Sequence, residues 1–376
     1  MKVGIICYPS YGGSGVVATE LGRQLAARGH FVHFISYDVP FKLNTYEANV
    51  TFHEVDVPSY PLFAYPPYLL ALANKVVEVS RRYSLDILHA HYAIPHATCG
   101  FLARELLGGR LKVVTTLHGT DVTLLGSNPS FSDIIRFSIE RSDGVTAVSE
   151  DLARVTRELF GIRSHIEVIY NFVDADKFRR LEVEELRRQI CGPETRVLVH
   201  ISNFRPVKRP VAVIDIFHAV QQELPAVLLL VGDGPEMARV QQRVDELGIA
   251  QHVKFLGKQE EVVEILSLSD LMLLPSTQES FGLVALEAMA CQVPVIASRV
   301  GGLPEVVVNG RAGFLYSPED LEGMAQGAIS ILSDPALREE MGLHARAIAV
   351  EKFSADEQVA RYERYYRHVL ENEVQA

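Results

Sequence analysis

Two carboxylates enclose a short polar segment in the second half of the chain. Glu279 precedes residues 280–283, and Glu287 follows them one helical turn later. An apolar run before the segment predicts a buried strand, and apolar spacing after it predicts a helix. The first amides of a helix lack intrahelical partners and attract anions, most often phosphates. The order acid, amides, acid therefore matches a sugar, a diphosphate and a ribose. A plain buried turn with two structural acids is the alternative that this segment alone leaves open.

Two more segments have residues suited to phosphate. Gly12, Gly13, Ser14 and Gly15 form a glycine-rich loop before a predicted helix, where backbone N–H groups can approach an anion closely. In the second half, Arg205 and Lys208 follow a predicted strand, and such cations suit a diphosphate. A solvated loop is the alternative for these cations.

The first of these loops also allows a dehydrogenase interpretation. Residues 13–18 fit the dinucleotide pattern G-x-G-x-x-A, and Asp38 lies where a ribose-binding acid would be expected. The loop that begins at Tyr8 is longer than the tight turn of that motif requires. Nicotinamide binding is therefore the less favoured hypothesis.

Histidines and paired aspartates raise the question of a metal. His89 and His91 face the same side of a predicted strand, and His96 follows, but a zinc site needs a third ligand in place and supporting partners. Histidines that line a cleft or form hydrogen bonds are the favoured interpretation. Asp174 and Asp176 coincide with a change to a charged composition, which favours a domain boundary over a divalent-metal site.

Composition limits the class of protein. The chain has 376 residues, of which 48% are hydrophobic and 22% are charged, and its formal net charge is −11. No basic cluster predicts nucleic-acid binding, and no apolar run reaches the roughly 18 residues of a membrane span. The four widely spaced cysteines predict reduced core residues. A cytoplasmic enzyme without stable membrane association is the expectation.

Strand and helix patterns alternate twice along the chain. This predicts an α/β protein with two doubly wound domains that face each other across a cleft. We expect the N-terminal domain at residues 1–168 and the C-terminal domain at 169–353. A helical pattern over residues 354–376 is predicted to pack back onto the first domain. Polar His118 and Thr120 follow a predicted strand of that first domain, where open α/β sheets bind ligands.

These motifs together resemble the retaining, two-Rossmann-domain (GT-B) glycosyltransferases of family 4 over the whole chain. The segments that carry the resemblance are residues 12–15, 118–121, 205–208, 279–287 and 301–305. Residues 41–46, 89–96 and 117–121 further resemble the branch of this family that transfers N-acetylglucosamine to L-malate in bacillithiol synthesis. One departure is Gln292, which stands where many relatives have glycine.

The resemblance implies UDP-N-acetylglucosamine as the donor and L-malate as the acceptor, with retention and with no metal or other cofactor. It implies that Glu287 holds the ribose hydroxyls and that Glu279 holds the 3- and 4-hydroxyls of the sugar. His118 would contact the sugar 6-hydroxyl. The implied catalytic residues are His118, Arg205, Lys208 and Glu279. The implied donor site comprises Gly13, Arg205, Lys208, Glu279, Ser280, Phe281, Gly282, Leu283, Val284 and Glu287.

The same resemblance implies an acceptor pocket for a small dicarboxylate. Its members would be Ser14, Asn44, Tyr92, Thr120 and Arg136. Arg136 lies in an apolar helical pattern, so it either pairs with an acid or faces the ligand, and an arginine suits a carboxylate. The β-phosphate of the donor would deprotonate the acceptor, so the two-carboxylate scheme of retaining glycosidases should not apply.

Other functions are compatible with the same residues. A family 4 enzyme could act on another small acceptor or on a lipid, although the acidic balance disfavours a membrane-facing patch. A UDP-N-acetylglucosamine 2-epimerase would use the same donor without an acceptor. A sensor without catalysis would bind the donor without turnover. Some relatives are homodimers, which makes a homodimer a weak expectation here.

Overall fold

The computed structural model describes residues 1–10, 12–58, 65–126 and 128–371. It divides into two compact units. Unit 1 comprises Met1–Asn171 together with Asp356–Ala376, and unit 2 comprises Phe172–Ala355. The division lies a few residues after the predicted boundary at 168/169. Residues 372–376 of the predicted terminal helix lie outside the described part.

Unit 1 is built on a seven-stranded sheet with the order β3-β2-β1-β4-β5-β6-β7, in which every described pairing is parallel. Its strands are β1 Lys2–Ile6, β2 Phe31–Ser36, β3 Val50–Glu54, β4 Ile87–His91, β5 Lys112–Leu117, β6 Gly144–Ala147 and β7 Glu167–Val168. The central strands are buried along nearly their whole length, as expected of parallel strands covered on both faces.

Helices cover this sheet. Those of unit 1 are α1 Gly13–Ala27, α2 Tyr68–Tyr83, α3 Thr98–Leu106, α4 Pro129–Glu140, α5 Glu150–Phe160 and the terminal α14 Ala355–Glu371. Apolar residues of α2, including Leu72 and Val76, pack in one core cluster with Leu88 of β4. The spacing of these residues by about one turn explains why α2 is helical and why this face is buried.

Unit 2 repeats the plan with six strands in the order β10-β9-β8-β11-β12-β13, again with parallel pairings. These are β8 Arg196–Ile201, β9 Ala226–Val231, β10 Val253–Gly257, β11 Leu271–Leu274, β12 Val295–Ser298 and β13 Gly313–Tyr316. Its helices are α6 Glu184–Ile190, α7 Pro210–Glu223, α8 Met237–Glu246, α9 Val263–Leu268, α10 Leu283–Ala290, α11 Leu303–Val306, α12 Leu321–Ser333 and α13 Pro335–Phe353.

Both sheets have the relative strand order of a doubly wound Rossmann fold. In each of them the third, second and first strands are followed by the fourth, fifth and sixth. The direction of winding reverses between β1 and β4 in unit 1 and between β8 and β11 in unit 2. Ligands of open α/β sheets bind at the carboxyl ends of strands beside this reversal. The predicted fold class of two doubly wound α/β domains is confirmed.

Helix α14 completes unit 1 although it lies at the other end of the chain. Tyr362 and Tyr366 are fully buried, and the Tyr366 hydroxyl lies 2.6 Å from His89 Nδ1 in β4. Arg28 and His30, at the end of α1, pair with Glu363 at 3.2 and 2.7 Å. None of the helices in the described ranges is long and apolar enough to cross a bilayer.

Candidate active site

Each predicted site residue of unit 1, except Asn44 and Arg136, follows β1, β4 or β5, and β1 and β4 are the strands on either side of the winding reversal. Gly13 and Ser14 begin α1, which follows β1. Tyr92 follows β4, and His118 and Thr120 follow β5. The N-cap of α1 is Gly12, and no side chain caps the helix there. Backbone N–H groups at this end of α1 therefore form an anion-attracting edge.

Three of the predicted acceptor residues come together. The Ser14 hydroxyl lies 2.6 Å from the Tyr92 hydroxyl. Burial raises the pKa of Tyr92, and hydrogen bonds with Ser14 and Thr120 partly offset that rise. Tyr92 is thus a neutral phenol at pH 7, with hydroxyl partners from the first turn of α1 and from the segment after β5. A cluster of hydroxyls of this kind can bind the oxygens of a small polar ligand.

His118 is half-buried, and its ring is held by another histidine. His118 Nε2 lies 2.8 Å from His91 Nδ1, and the two rings are stacked with centroids 5.1 Å apart. Burial lowers the pKa of His118 to about 3 and the pKa of His91 well below its ordinary value. Both imidazoles are therefore neutral at pH 7.

Asp121 supports the turn after β5, and a capping Thr or Asp in this turn is the structural alternative that the sequence allowed for residues 118–121. The buried carboxylate of Asp121 accepts hydrogen bonds from the backbone N–H groups of Gly119 at 3.0 Å and Ala93 at 2.9 Å. Burial raises the pKa of Asp121, although these N–H groups oppose the rise. The carboxylate thereby ties the loop after β5 to the turn after β4. The sequence signal for this role is an acid two residues after a glycine in the polar turn that follows β5.

The two remaining predicted acceptor residues lie apart from this cluster in their described contacts. Asn44 is exposed, and its Oδ1 accepts the backbone N–H of Tyr46 at 3.0 Å. Arg136 on α4 is also exposed, and its Nε donates to Glu140 at 3.1 Å. Of the two possibilities that the sequence left open for Arg136, pairing with an acid is the one observed.

The predicted cations of unit 2 lie on the loop after β8. Arg205 is exposed, and Lys208 is half-buried. His200, buried in β8, makes hydrogen bonds of 2.8 Å with both the Leu273 carbonyl and the Ser202 hydroxyl. That hydroxyl accepts the N–H of Phe204 at 3.2 Å. This chain of bonds fixes the start of the loop and so positions the two cations.

Glu279 lies on the next loop, which follows β11. Its carboxylate forms an ion pair with Lys208. Its carbonyl accepts the N–H of Gly302 at 2.9 Å. A Cβ atom on Gly301 would lie only 1.9 Å from that same carbonyl oxygen, so glycine is required there. The glycines of the 301–305 motif thus let a second loop pack closely against the backbone of Glu279.

Helix α10 begins where the sequence predicts it. Gly282 is its N-cap, with a φ of +96°, and no side chain caps the helix. Leu283 and Val284 are its first residues and are half-buried, and Glu287 is half-buried one turn later. Ser280 and Phe281 precede the N-cap, and Phe281 is buried against Phe353. The structure therefore supplies the predicted order of acid, helix N-terminus and acid.

The histidines of β4 and the paired aspartates have protein partners. His89, His91 and His96 are hydrogen-bonded to protein groups, which confirms the interpretation favoured for them. In the part of the chain that is described, no three candidate metal ligands come together. Asp174 caps a local turn by accepting the N–H groups of Asp176 and Lys177.

Comparison with known proteins decides the family. Residues 11–177 match the model of Glycosyltransferase Family 4, and residues 183–348 match that of glycosyl transferases group 1. N-acetyl-alpha-D-glucosaminyl L-malate synthase from Bacillus anthracis is 52% identical over 374 residues, which cover 99% of this chain and 98% of that protein. The chain belongs to the family 4 glycosyltransferases. It is accordingly an enzyme that transfers a sugar, and the dehydrogenase interpretation is not supported.

More distant relatives agree with this assignment. D-inositol 3-phosphate glycosyltransferase from Mycobacterium marinum is 30% identical over 293 residues, covering 72% of this chain and 61% of that protein. Among solved structures, Anabaena Alr3699/HepE in complex with UDP and glucose has a TM-score of 0.81 at 24% identity, with 98% of this chain and 99% of that chain covered. A glycosyltransferase from Rickettsia africae has a TM-score of 0.83 at 21% identity, with 99% of each chain covered. These structures share the GT-B fold.

Proposed function

We propose that this enzyme transfers N-acetylglucosamine from UDP-N-acetylglucosamine to the hydroxyl of L-malate, with retention of configuration, as the first step of bacillithiol synthesis. The observation that carries the proposal is the 52% identity, over nearly the full length of both chains, to a synthase named for that product. The acceptor is the specific part of the proposal, because more distant family members with 30% identity are named for inositol 3-phosphate.

The donor is assigned to unit 2. Arg205, Lys208 and the first amides of α10 suit a diphosphate, because they combine fixed positive charge with uncapped N–H groups. Glu287 would accept hydrogen bonds from the ribose, and Glu279 from the sugar hydroxyls. Glu279 pairs with Lys208, which fits a ligand-binding carboxylate better than a nucleophile.

The acceptor is assigned to unit 1. The hydroxyls of Ser14, Tyr92 and Thr120 would bind malate oxygens, and Asn44 and Arg136 would complete the pocket from their exposed positions. A guanidinium matches a carboxylate in geometry and charge. We also place the reaction in the cytoplasm, since the cysteines are free thiols, as is usual in reducing compartments.

The chemistry needs no protein nucleophile in this proposal. The bond between the sugar C1 and the β-phosphate oxygen of UDP breaks, and a bond from C1 to the malate hydroxyl oxygen forms on the same face. The malate proton passes to a β-phosphate oxygen, and UDP leaves. The protein stabilises the charge that develops on the diphosphate, and fixed cations and amides do this efficiently. His118 would contact the sugar 6-hydroxyl.

A measurement of UDP release tests this proposal. The purified enzyme is given UDP-N-acetylglucosamine with L-malate, D-malate, D-inositol 3-phosphate or no acceptor. We expect release that depends strongly on L-malate. Release without any acceptor would favour hydrolysis or epimerisation, and release with inositol phosphate would favour the relatives named for that acceptor.

A substitution of Arg136 tests the acceptor pocket separately from the donor site. Arg136→Ala should raise the KM for L-malate at least about tenfold and leave the donor KM unchanged, because a charged hydrogen bond is worth about 1.5–3 kcal/mol. Arg141→Ala is the matched control, since Arg141 is exposed near the end of the same helix and stacks on Phe137. Equal effects of the two substitutions on the KM for L-malate would show that Arg136 does not bind the acceptor.

A further inference from the structure

The buried histidines of unit 1 form a connected array behind His118. His89 and His91 lie two residues apart on β4, so their side chains share one face of the sheet, and their ring centroids are 4.3 Å apart. His91 Nδ1 lies 2.8 Å from His118 Nε2. Two nitrogens at that distance share one hydrogen, so one imidazole donates and the other accepts.

The other nitrogen of His91 decides which one donates. His91 Nε2 is buried and has no hydrogen-bond partner among the described residues. If it carried the hydrogen, a buried N–H donor would be left unsatisfied, which is rare and costly in native proteins. Without the hydrogen, it is only an unpaired acceptor, which costs less. The hydrogen of neutral His91 therefore belongs on Nδ1.

We propose that His91 is a positioning residue, which donates its Nδ1–H to His118 Nε2 and thereby fixes His118 as the Nδ1–H tautomer. His118 Nδ1 has no hydrogen-bond partner in the described ranges, so it presents an N–H donor to a ligand. Its ligand atom must then be an acceptor, such as a hydroxyl, phosphate or carboxylate oxygen. His118 cannot serve as a general base through Nδ1 in this state.

The surroundings hold His91 in place. The His91 carbonyl accepts a hydrogen bond of 2.5 Å from His96 Nδ1, which must be the donor because a carbonyl only accepts. His89 packs against the His91 ring, and His89 itself is held by the Tyr366 hydroxyl and by Thr116, each at 2.6 Å. Helix α14 thus supports the array through Tyr366. The tautomer follows from these contacts alone, while its effect on turnover rests on the proposed function.

Nitrogen NMR of the wild-type enzyme, with ¹⁵N-labelled histidine, tests the tautomer directly. The signals of His118 are assigned by their loss in His118→Asn. We expect a protonated Nδ1 and an unprotonated Nε2 for His118, and a protonated Nδ1 for His91. A protonated His118 Nε2 would overturn the proposal. This result is independent of the acceptor and of any variant of His91.

Kinetic measurements then test whether the hydrogen bond from His91 to His118 affects turnover. His91→Leu removes the donor and should lower kcat/KM at least about tenfold, with a mixture of His118 tautomers in the spectrum. His91→Asn keeps an N–H close to the position of Nδ1 and should restore most of both properties. His33→Leu is the matched control, because His33 is a buried histidine on β2 that bonds only to His53 among the described side chains. Unchanged tautomer and turnover in His91→Leu would contradict the proposed role.

Discussion

Lys208 and Glu279 form an ion pair between two loops of unit 2, and each is a proposed donor ligand. A diphosphate bound at Lys208 would compete with the Glu279 carboxylate for the same ammonium group. Binding of the donor should therefore redistribute this pair, so that Lys208 turns toward the phosphates and Glu279 toward the sugar hydroxyls. The pair keeps both side chains ordered before the donor arrives, which lowers the entropy lost on binding.

Substitution of Lys208 tests this residue-scale interpretation. Lys208→Met should lower kcat/KM for the donor by about 10²–10³, because a fixed charge at the leaving group is lost. The assay is UDP release over a range of UDP-N-acetylglucosamine concentrations. Lys254→Met is the control, since Lys254 is exposed on β10 at the sheet edge. Near wild-type kinetics in Lys208→Met would exclude a phosphate contact.

The role of a single residue was predictable from sequence where one short segment contains all the residues of a motif. The acid, helix start and acid of residues 279–287 are adjacent in sequence, so their order alone predicts their chemistry. The partners were not predictable, because Lys208 meets Glu279 across 71 residues and His91 meets His118 across 27. Such contacts depend on strand order and loop packing, which side-chain type and spacing do not specify.

At the scale of elements, the loop after β12 supports the loop that carries Glu279. Gly301 has a φ of +53°, and its backbone lies against the Glu279 carbonyl. In the sequence, residues 301–305 are a glycine-containing segment that carries part of the family resemblance. The sequence could not predict that this segment is a support for Glu279, because the close approach exists only after both loops are folded.

Gly301→Ala should therefore impair both stability and donor binding. The positive φ costs about 1 kcal/mol for alanine, and the overlap with the Glu279 carbonyl adds about 1–3 kcal/mol. Gly310→Ala is a matched control, because Gly310 has a φ of +77° with no atom within 4 Å of the added Cβ. Urea unfolding and the donor KM are the measurements. If both variants lose the same stability and keep the donor KM, the loop does not support Glu279.

The end of α10 contains a residue in a conformation that suits glycine. Gln292 has a φ of +60°, and the N–H of Val293 bonds back to the Ala288 carbonyl, as in a helix C-terminal motif. A positive φ favours glycine, which agrees with the glycine that the family resemblance implies for many relatives at this position.

Gln292→Gly should accordingly stabilise the protein by about 1 kcal/mol, because the strain of a left-handed conformation is removed. Activity should not change. Gln292→Ala serves as the control, since it keeps the Cβ atom that causes the strain. Chemical denaturation measures the difference, and a Gln292→Gly variant no more stable than Gln292→Ala would refute this explanation.

At the scale of the whole molecule, the two units differ in their content of buried neutral histidines. In unit 1, burial strongly lowers the pKa of the buried His33, His89, His91 and His96 and of the half-buried His118. In unit 2, His200 is buried with its pKa lowered to about 4. The unfolded chain binds protons near pH 6.5, whereas these folded groups do so only at much lower pH.

Acid should therefore destabilise unit 1 before unit 2. A group whose folded pKa lies below its unfolded pKa keeps its stabilising effect above about pH 6.5 and loses it as the pH falls toward the folded pKa. At pH 5, a histidine whose pKa is about 3 or 4 in the folded state and near 6.5 in the unfolded state lowers the free energy of unfolding by about 2 kcal/mol. Hydrogen exchange at pH 7 and 5, corrected for intrinsic rates, should show earlier loss of protection in β4 and β5 than in β8 and β11. Equal loss in the two units would be inconsistent with this prediction.

The overall plan was predictable because each unit repeats buried strands, polar strand ends and amphipathic helices in a fixed order. The return of α14 to unit 1 also agrees with the helical pattern that begins at residue 354. What the pattern could not predict is how this helix is attached. Its contacts with His89, Arg28 and His30 join residues that are more than 270 positions apart in the chain.

The most direct test of the proposed function is the identity of the product. UDP-N-acetylglucosamine and L-malate are incubated with the enzyme, and the product is examined by mass spectrometry and by proton NMR of its anomeric centre. We predict an adduct of one N-acetylglucosamine and one malate, joined through the malate hydroxyl in the α configuration of the donor. A β-linked adduct would contradict retention, and free N-acetylglucosamine or the absence of any malate adduct would contradict the proposed transfer itself.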